Sequence, residues 1–116
     1  NSTKHAFYNG QLLYSKLRPY LNKVLIADDD GYCTSEILPL EFANIIFPPY
    51  ARHVLMSTYF LGYANQCSYG VKMPRLGTND GKRAWIPLPP LSEQHRIAAA
   101  VDAAFAQLDT IADALV

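Results

Sequence analysis

The chain has 116 residues, half of them hydrophobic, with ten basic and ten acidic side chains and a formal net charge of zero. That length supports one core and excludes a large multidomain enzyme. The longest uncharged stretch, 53–71, is broken by Ser57, Thr58, Asn65, Gln66 and Ser68, which argues against a membrane span. Two cysteines, Cys33 and Cys67, are too few for a disulfide scaffold, and no basic, apolar leader precedes the first elements; a reducing cytoplasm is the expected setting. The chain starts at Asn1 and ends within a helical pattern, so it reads as a piece of something longer.

In chain order, the apolar runs 11–14 and 23–27 read as two strands. They are joined by a basic, proline-interrupted loop, Lys16-Leu17-Arg18-Pro19-Tyr20. Asp28-Asp29-Asp30-Gly31 reads as a turn, because aspartate bonds nearby backbone and glycine accepts positive φ. It lacks the further spaced oxygens of a calcium loop. Residues 35–40 suggest another strand, with Pro39 placing it at an edge or an end. Pro48-Pro49 then breaks the chain before a helix over about 50–63, whose Val54, Leu55, Thr58, Phe60 and Leu61 recur at helical spacing. The stretch 65–76 is polar and carries two cations and no acid, so it is no buried strand. Thr78 is a candidate cap for a short helical turn, and the prolines of 85–90 force an extended path.

The last helix gives the cleanest signal. Ser92 is a good N-cap, and Glu93 sits in the first turn where the helix dipole favours an acid. Ile97, Val101, Ala104, Leu108, Ile111 and Leu115 follow at alternating spacings of four and three, the seam of a coiled coil, and Ala98, Phe105 and Ala112 widen it. Such a seam expects a partner helix. In this fragment the simplest one is a second copy of the same helix, giving a homodimer.

Charge is segregated along the chain. Residues 1–27 and 42–91 together carry plus eight, whereas 28–41 carry minus five and 92–116 minus three. If the two basic stretches converge, they form a face that neutralises phosphates. The competing reading is ordinary solvated charge. No chemistry converges: His5, His53 and His95 stand far apart with no carboxylate or cysteine at ligand spacing, and no nucleophile elbow or phosphate-binding glycine loop is present. Neither a catalytic nor a metal site is expected, and both cysteines read as packing residues.

Four segments carry a resemblance. Leu13-Tyr14-Ser15-Lys16-Leu17-Arg18-Pro19-Tyr20-Leu21-Asn22-Lys23, Cys33-Thr34-Ser35-Glu36-Ile37-Leu38-Pro39-Leu40, Ser68-Tyr69-Gly70-Val71-Lys72-Met73-Pro74-Arg75-Leu76 and Ile86-Pro87-Leu88-Pro89-Pro90-Leu91-Ser92-Glu93-Gln94-His95-Arg96-Ile97 resemble, in this order, landmarks of the specificity subunits of type I restriction-modification enzymes. The family's several entry strands and tryptophan-containing entry segment have no match here.

The resemblance implies an α+β fold. Residues 1–90 would be the carboxyl-terminal part of a DNA target recognition domain, and 91–116 the start of a conserved coiled-coil spacer. It implies a subunit without chemistry of its own, in which double-stranded DNA is read as one half of a bipartite site. The helix would dock the methyltransferase (modification) subunits and, through them, the restriction subunit. Methyl transfer from S-adenosylmethionine and ATP-driven cleavage belong to those subunits, so this chain needs no cofactor. The residues expected at DNA are Lys16, Arg18, Tyr20, Lys23, Asn65, Ser68, Tyr69, Lys72, Arg75, Lys82 and Arg83, with guanidinium forks suited to guanine edges and lysines to phosphates. A structural ion pair of Arg18 or Arg75 with Glu36 or Asp80 is the alternative for those two. For the whole chain, the alternatives are a coiled-coil protein-interaction module without DNA binding, or an RNA-binding fragment with aromatic side chains on an exposed sheet face.

Overall fold

The computed structural model describes residues 4–42, 44–70 and 73–115, apart from the Lys82 side chain. The order of elements is β1 (Lys4–Phe7), β2 (Leu12–Ser15), a 3-10 turn (Pro19–Leu21), β3 (Val24–Ile26), β4 (Gly31–Thr34), β5 (Ile37–Leu40), α1 (Pro48–Leu55), α2 (Thr58–Cys67), α3 (Thr78–Lys82) and α4 (Leu91–Ala114). Short antiparallel strands followed by helices make this an α+β fold. Among the described residues, no helix is long and apolar enough to cross a membrane.

β2 is the centre of a three-stranded antiparallel sheet, β3-β2-β5, with Leu12 opposite both Ile26 and Leu40. Its alternation puts Leu12 and Tyr14 into the core. β5 is an edge strand, as Pro39 requires, since proline has no N–H to give a second neighbour. β1 and β4 form a separate antiparallel ribbon. The acidic bend before β4 spends carboxylates on backbone N–H groups: Asp30 Oδ1 accepts from Asn9 N at 2.9 Å and Asp29 Oδ1 from Asp30 N at 2.8 Å. Gly31, expected in the turn, is instead the first residue of β4. A Cβ there would lie 2.7 Å from the tip of the Phe7 ring, so a larger residue would have to displace that side chain.

The helix expected over 50–63 is two helices. Pro48 and Pro49 open α1 rather than preceding it, since the first turn needs no intrahelical N–H donor. The chain breaks at Met56, and Ser57 restarts it as the N-cap of α2, its Oγ accepting from Phe60 N at 3.3 Å. Asn22 Nδ2 donates to Met56 O at 2.8 Å, satisfying a carbonyl exposed by that break.

Two caps also differ from expectation. Gly77, not Thr78, caps α3, and Thr78 lies in its first turn. At α4 the cap is Pro90, whose extended backbone presents its carbonyl to Glu93 N and Gln94 N, so Ser92 falls inside the first turn.

The core is built from Leu12, Tyr14, Val24, Ala51, Leu55, Phe60, Ala64 and Leu76. Tyr14 meets Phe60 edge to face, with centroids 5.7 Å apart. Burial pushes the Tyr14 phenol up to about 12. The extended 85–90 segment is strapped to the helices by Tyr50 Oη donating to Pro87 O at 2.9 Å and Tyr59 Oη to Trp85 O at 2.6 Å.

Candidate nucleic-acid interface

The loop leaving β2 and the segment entering α3 run side by side. Arg18 N donates to Pro74 O at 2.5 Å and Leu76 N to Lys16 O at 2.8 Å, with Leu17 bridged to Arg75. Tyr69 and Arg75 exchange two backbone hydrogen bonds, at 3.0 and 2.9 Å, closing a tight loop in which Gly70 takes φ 95°. Two basic stretches distant in sequence thus meet through backbone pairing. Lys16, Arg18, Tyr69 and Arg75 are brought together.

The loop between β2 and β3 is held in an unusual shape. Arg18 (φ 51°) and Asn22 (φ 57°) both occupy the left-handed region on either side of the 3-10 turn. Non-glycine residues rarely adopt it, and such local cost is found where surrounding structure fixes a functional loop. Here the Arg18–Pro74 backbone bond and the Asn22–Met56 bond do the fixing. Arg18 Nε is buried without a hydrogen-bond partner among the described residues.

The remaining expected residues divide. Lys23 is exposed opposite Ser15 at the same end of the hairpin, its carbonyl accepting from Ser15 N at 3.1 Å. Tyr20 is exposed on the 3-10 turn, which packs against α2. Asn65 is exposed near the end of α2. The Ser68 hydroxyl is spent on Ala64 O at 2.5 Å, ending that helix. The Lys16 ammonium donates to Thr78 Oγ1 at 3.0 Å and so ties the loop to α3. Arg83 is exposed at the far end of α3. Lys72 and the side chain of Lys82 lie outside the described residues.

Arg75 makes the ion pair weighed as its alternative: its Nε donates to Glu36 Oε2 at 2.9 Å. Arg18 makes no such pair among the described residues. Asp80 instead contributes its backbone carbonyl, which accepts from Tyr63 Oη at 2.5 Å. Burial, Cys67 and the nearby Asp80 carboxylate raise the Tyr63 phenol above its ordinary range.

α4 leaves this domain in two regimes. Over its first turns it packs on α1 through buried Gln94 and Ala98 and half-buried Ile97 and Val101. Ala98, expected only to widen the seam, is at the contact. Two histidines reinforce it: His95 stacks on Phe47 at 3.7 Å, and His53 Nε2 lies 2.9 Å from Asp102 Oδ1. The sequence spacing hid that carboxylate partner, since the two residues sit on different helices. From Ala104 onward Phe105, Leu108, Ile111 and Leu115 are all exposed. Among the described residues, no group of three His, Cys, Asp or Glu side chains is placed to hold a metal ion.

Residues 3–115 match the family described as type I restriction modification DNA specificity domain. The chain is similar to the type I restriction enzyme EcoDI specificity subunit of Escherichia coli, at 37% identity over 110 residues. That match covers 95% of this chain and 24% of the relative, so the chain spans about a quarter of that subunit's length.

Proposed function

The chain belongs to the type I restriction modification DNA specificity domain family, and from that premise we propose that it is a non-catalytic recognition element for double-stranded DNA. One observation carries the reading: the acid-free segments around Arg18 and Arg75 are zipped together by backbone hydrogen bonds. Converged guanidinium and ammonium groups of this kind neutralise phosphates, and arginine forks read guanine edges. On this reading the domain over 1–90 reads one half of a bipartite site in the cytoplasm. Arg18 and Arg75 work at base or phosphate edges, and Lys23, Tyr20, Asn65, Tyr69, Lys72, Lys82 and Arg83 are the further DNA contacts of this reading. Lys16 and Ser68 act mainly by shaping the loops, given the bonds their side chains already make.

The helix from 91 onward serves assembly. Its exposed seam suits a second helix, either in a docking surface for modification subunits or in a homodimer of this chain. With methyl transfer and cleavage assigned to other subunits, the chain requires neither S-adenosylmethionine nor ATP. The exposed seam also favours the rival reading, a helical interaction module without DNA binding.

Arg75→Ala separates the two. In the protein assembled with its modification subunits, the variant is expected to weaken specific duplex binding by about 1 to 3 kcal/mol. Its thermal midpoint should be nearly unchanged, because a half-exposed ion pair adds little to stability. Unchanged affinity in a folded variant contradicts a role for Arg75 at DNA.

A further inference from the structure

Glu36 is an acid held at the meeting point of the two basic segments, where it costs affinity for a polyanion. Its bond to Arg75 is of an unusual kind for a charge-neutralising pair. Only Nε donates, to Oε2 at 2.9 Å, and not the two-pronged fork. A guanidinium has five N–H donors in one plane, so this bond uses one and leaves four. No hydrogen bond from either terminal nitrogen is made among the described residues. The side chains of Arg75 and Glu36 are 38% and 35% exposed, at the surface and not in the core.

Both ends of the pair are anchored by backbone. Arg75 is fixed on either side of its peptide by Tyr69, and the Glu36 carbonyl accepts from Lys16 N at 2.9 Å. Glu36 N donates to Thr34 Oγ1 at 3.3 Å. With both backbones held, the Nε bond ties that edge of the guanidinium to Glu36 and leaves the pair of terminal nitrogens at its end without a partner among the described residues.

We propose that Glu36 is a positioning residue for sequence discrimination: it holds the Arg75 fork in the orientation needed for bidentate contact with a base edge, at the expense of general affinity for DNA. The inference rests on the DNA reading above and assigns Glu36 a part in it. A freely rotating arginine contacts any phosphate within reach, whereas a fork fixed in plane rewards only a matching pair of acceptors. Removing the carboxylate therefore moves two quantities in opposite directions. Discrimination falls because the fork loses its orientation, and binding to unrelated DNA rises because a negative charge has left the interface.

The test uses the protein assembled with its modification subunits. Affinities are measured for a duplex enriched by the wild-type assembly from a randomised pool and for an unrelated duplex of equal length. Glu36→Ala is expected to lower the ratio of the two by at least about tenfold, the scale of one good bidentate base contact, with the unrelated duplex bound more tightly. Glu36→Gln keeps an acceptor for Nε and is expected to restore most of the ratio. A ratio unchanged in Glu36→Ala, or equal weakening on both duplexes, overturns the proposal in favour of a merely structural pair. If Glu36→Ala does not fold, Arg75→Lys carries the same test, since lysine keeps the charge but has no fork; wild-type discrimination in that variant overturns the proposal. A wild-type assembly that enriches no duplex removes the DNA reading itself, and this inference with it.

Discussion

Gln94→Ala is expected to lower the unfolding free energy by about 3 to 5 kcal/mol, because Gln94 is the one buried polar side chain among the described residues. Gln94 is 0% exposed. Its Oε1 accepts from Phe47 N at 2.8 Å, and its Nε2 donates to Ile45 O at 2.8 Å and Pro89 O at 2.9 Å. Those three backbone groups lie in irregular segments flanking α1 and α4, with no ladder or helix to satisfy them. Truncation leaves three part-buried backbone groups without their partner and removes most of a fully buried side chain. Gln94→Glu is expected to cost a comparable amount, because an ionised carboxylate accepts but cannot donate to two carbonyls. Denaturant titration of the variants checks this, and a loss below about 1 kcal/mol contradicts the account of how α4 is fixed to the domain.

Leu108→Glu is expected to convert a self-associating protein into a monomer. The first turns of α4 are occupied by α1, so the free seam begins at Phe105 and continues through Leu108, 57% exposed, to Leu115, 82% exposed. Each large apolar side chain on that seam gains about 1.5 to 3 kcal/mol on burial. Twofold pairing of the helix with its own copy buries all of them at once. Leu108 lies beyond the contact with α1, so the substitution should leave the monomer's stability unchanged within about 0.5 kcal/mol. Sedimentation should show a wild-type dimer at protein concentrations about tenfold above its dissociation constant, with a monomeric variant. A wild-type chain that stays monomeric at the highest soluble concentration contradicts the proposed pairing.

What the sequence conveys is mostly local. The strand over 11–14, the edge-favouring Pro39 and the long last helix are patterns within one element, and each is present in the structure. The break between α1 and α2 does not announce itself, because the apolar spacing runs on across Met56 and Ser57 while the deciding event is a serine capping the next helix. Segregated charge suggested that two basic stretches belong together. Their pairing through Arg18 and Pro74 is a long-range backbone contact that no periodicity records. Gln94 was invisible for a related reason: one glutamine in an amphipathic helix looks like surface, and its three partners come from distant loops. Glu36 was legible only as a possible partner of Arg75. Which of the guanidinium's nitrogens it engages depends on the register of β5 against β2 and of the loop against 74–76.

The central claim is that the converged basic segments bind duplex DNA, and the salt dependence of binding tests it most directly. With the protein assembled with its modification subunits, the logarithm of duplex affinity is expected to fall linearly with the logarithm of salt concentration. Each phosphate neutralised contributes about −0.9 to the slope, so Arg18 and Lys23 together should supply about −2 if both sit on phosphates. Substituting both by alanine should remove that share of the slope. Duplex binding that is absent, or that neither weakens with salt nor responds to loss of these residues, contradicts the account.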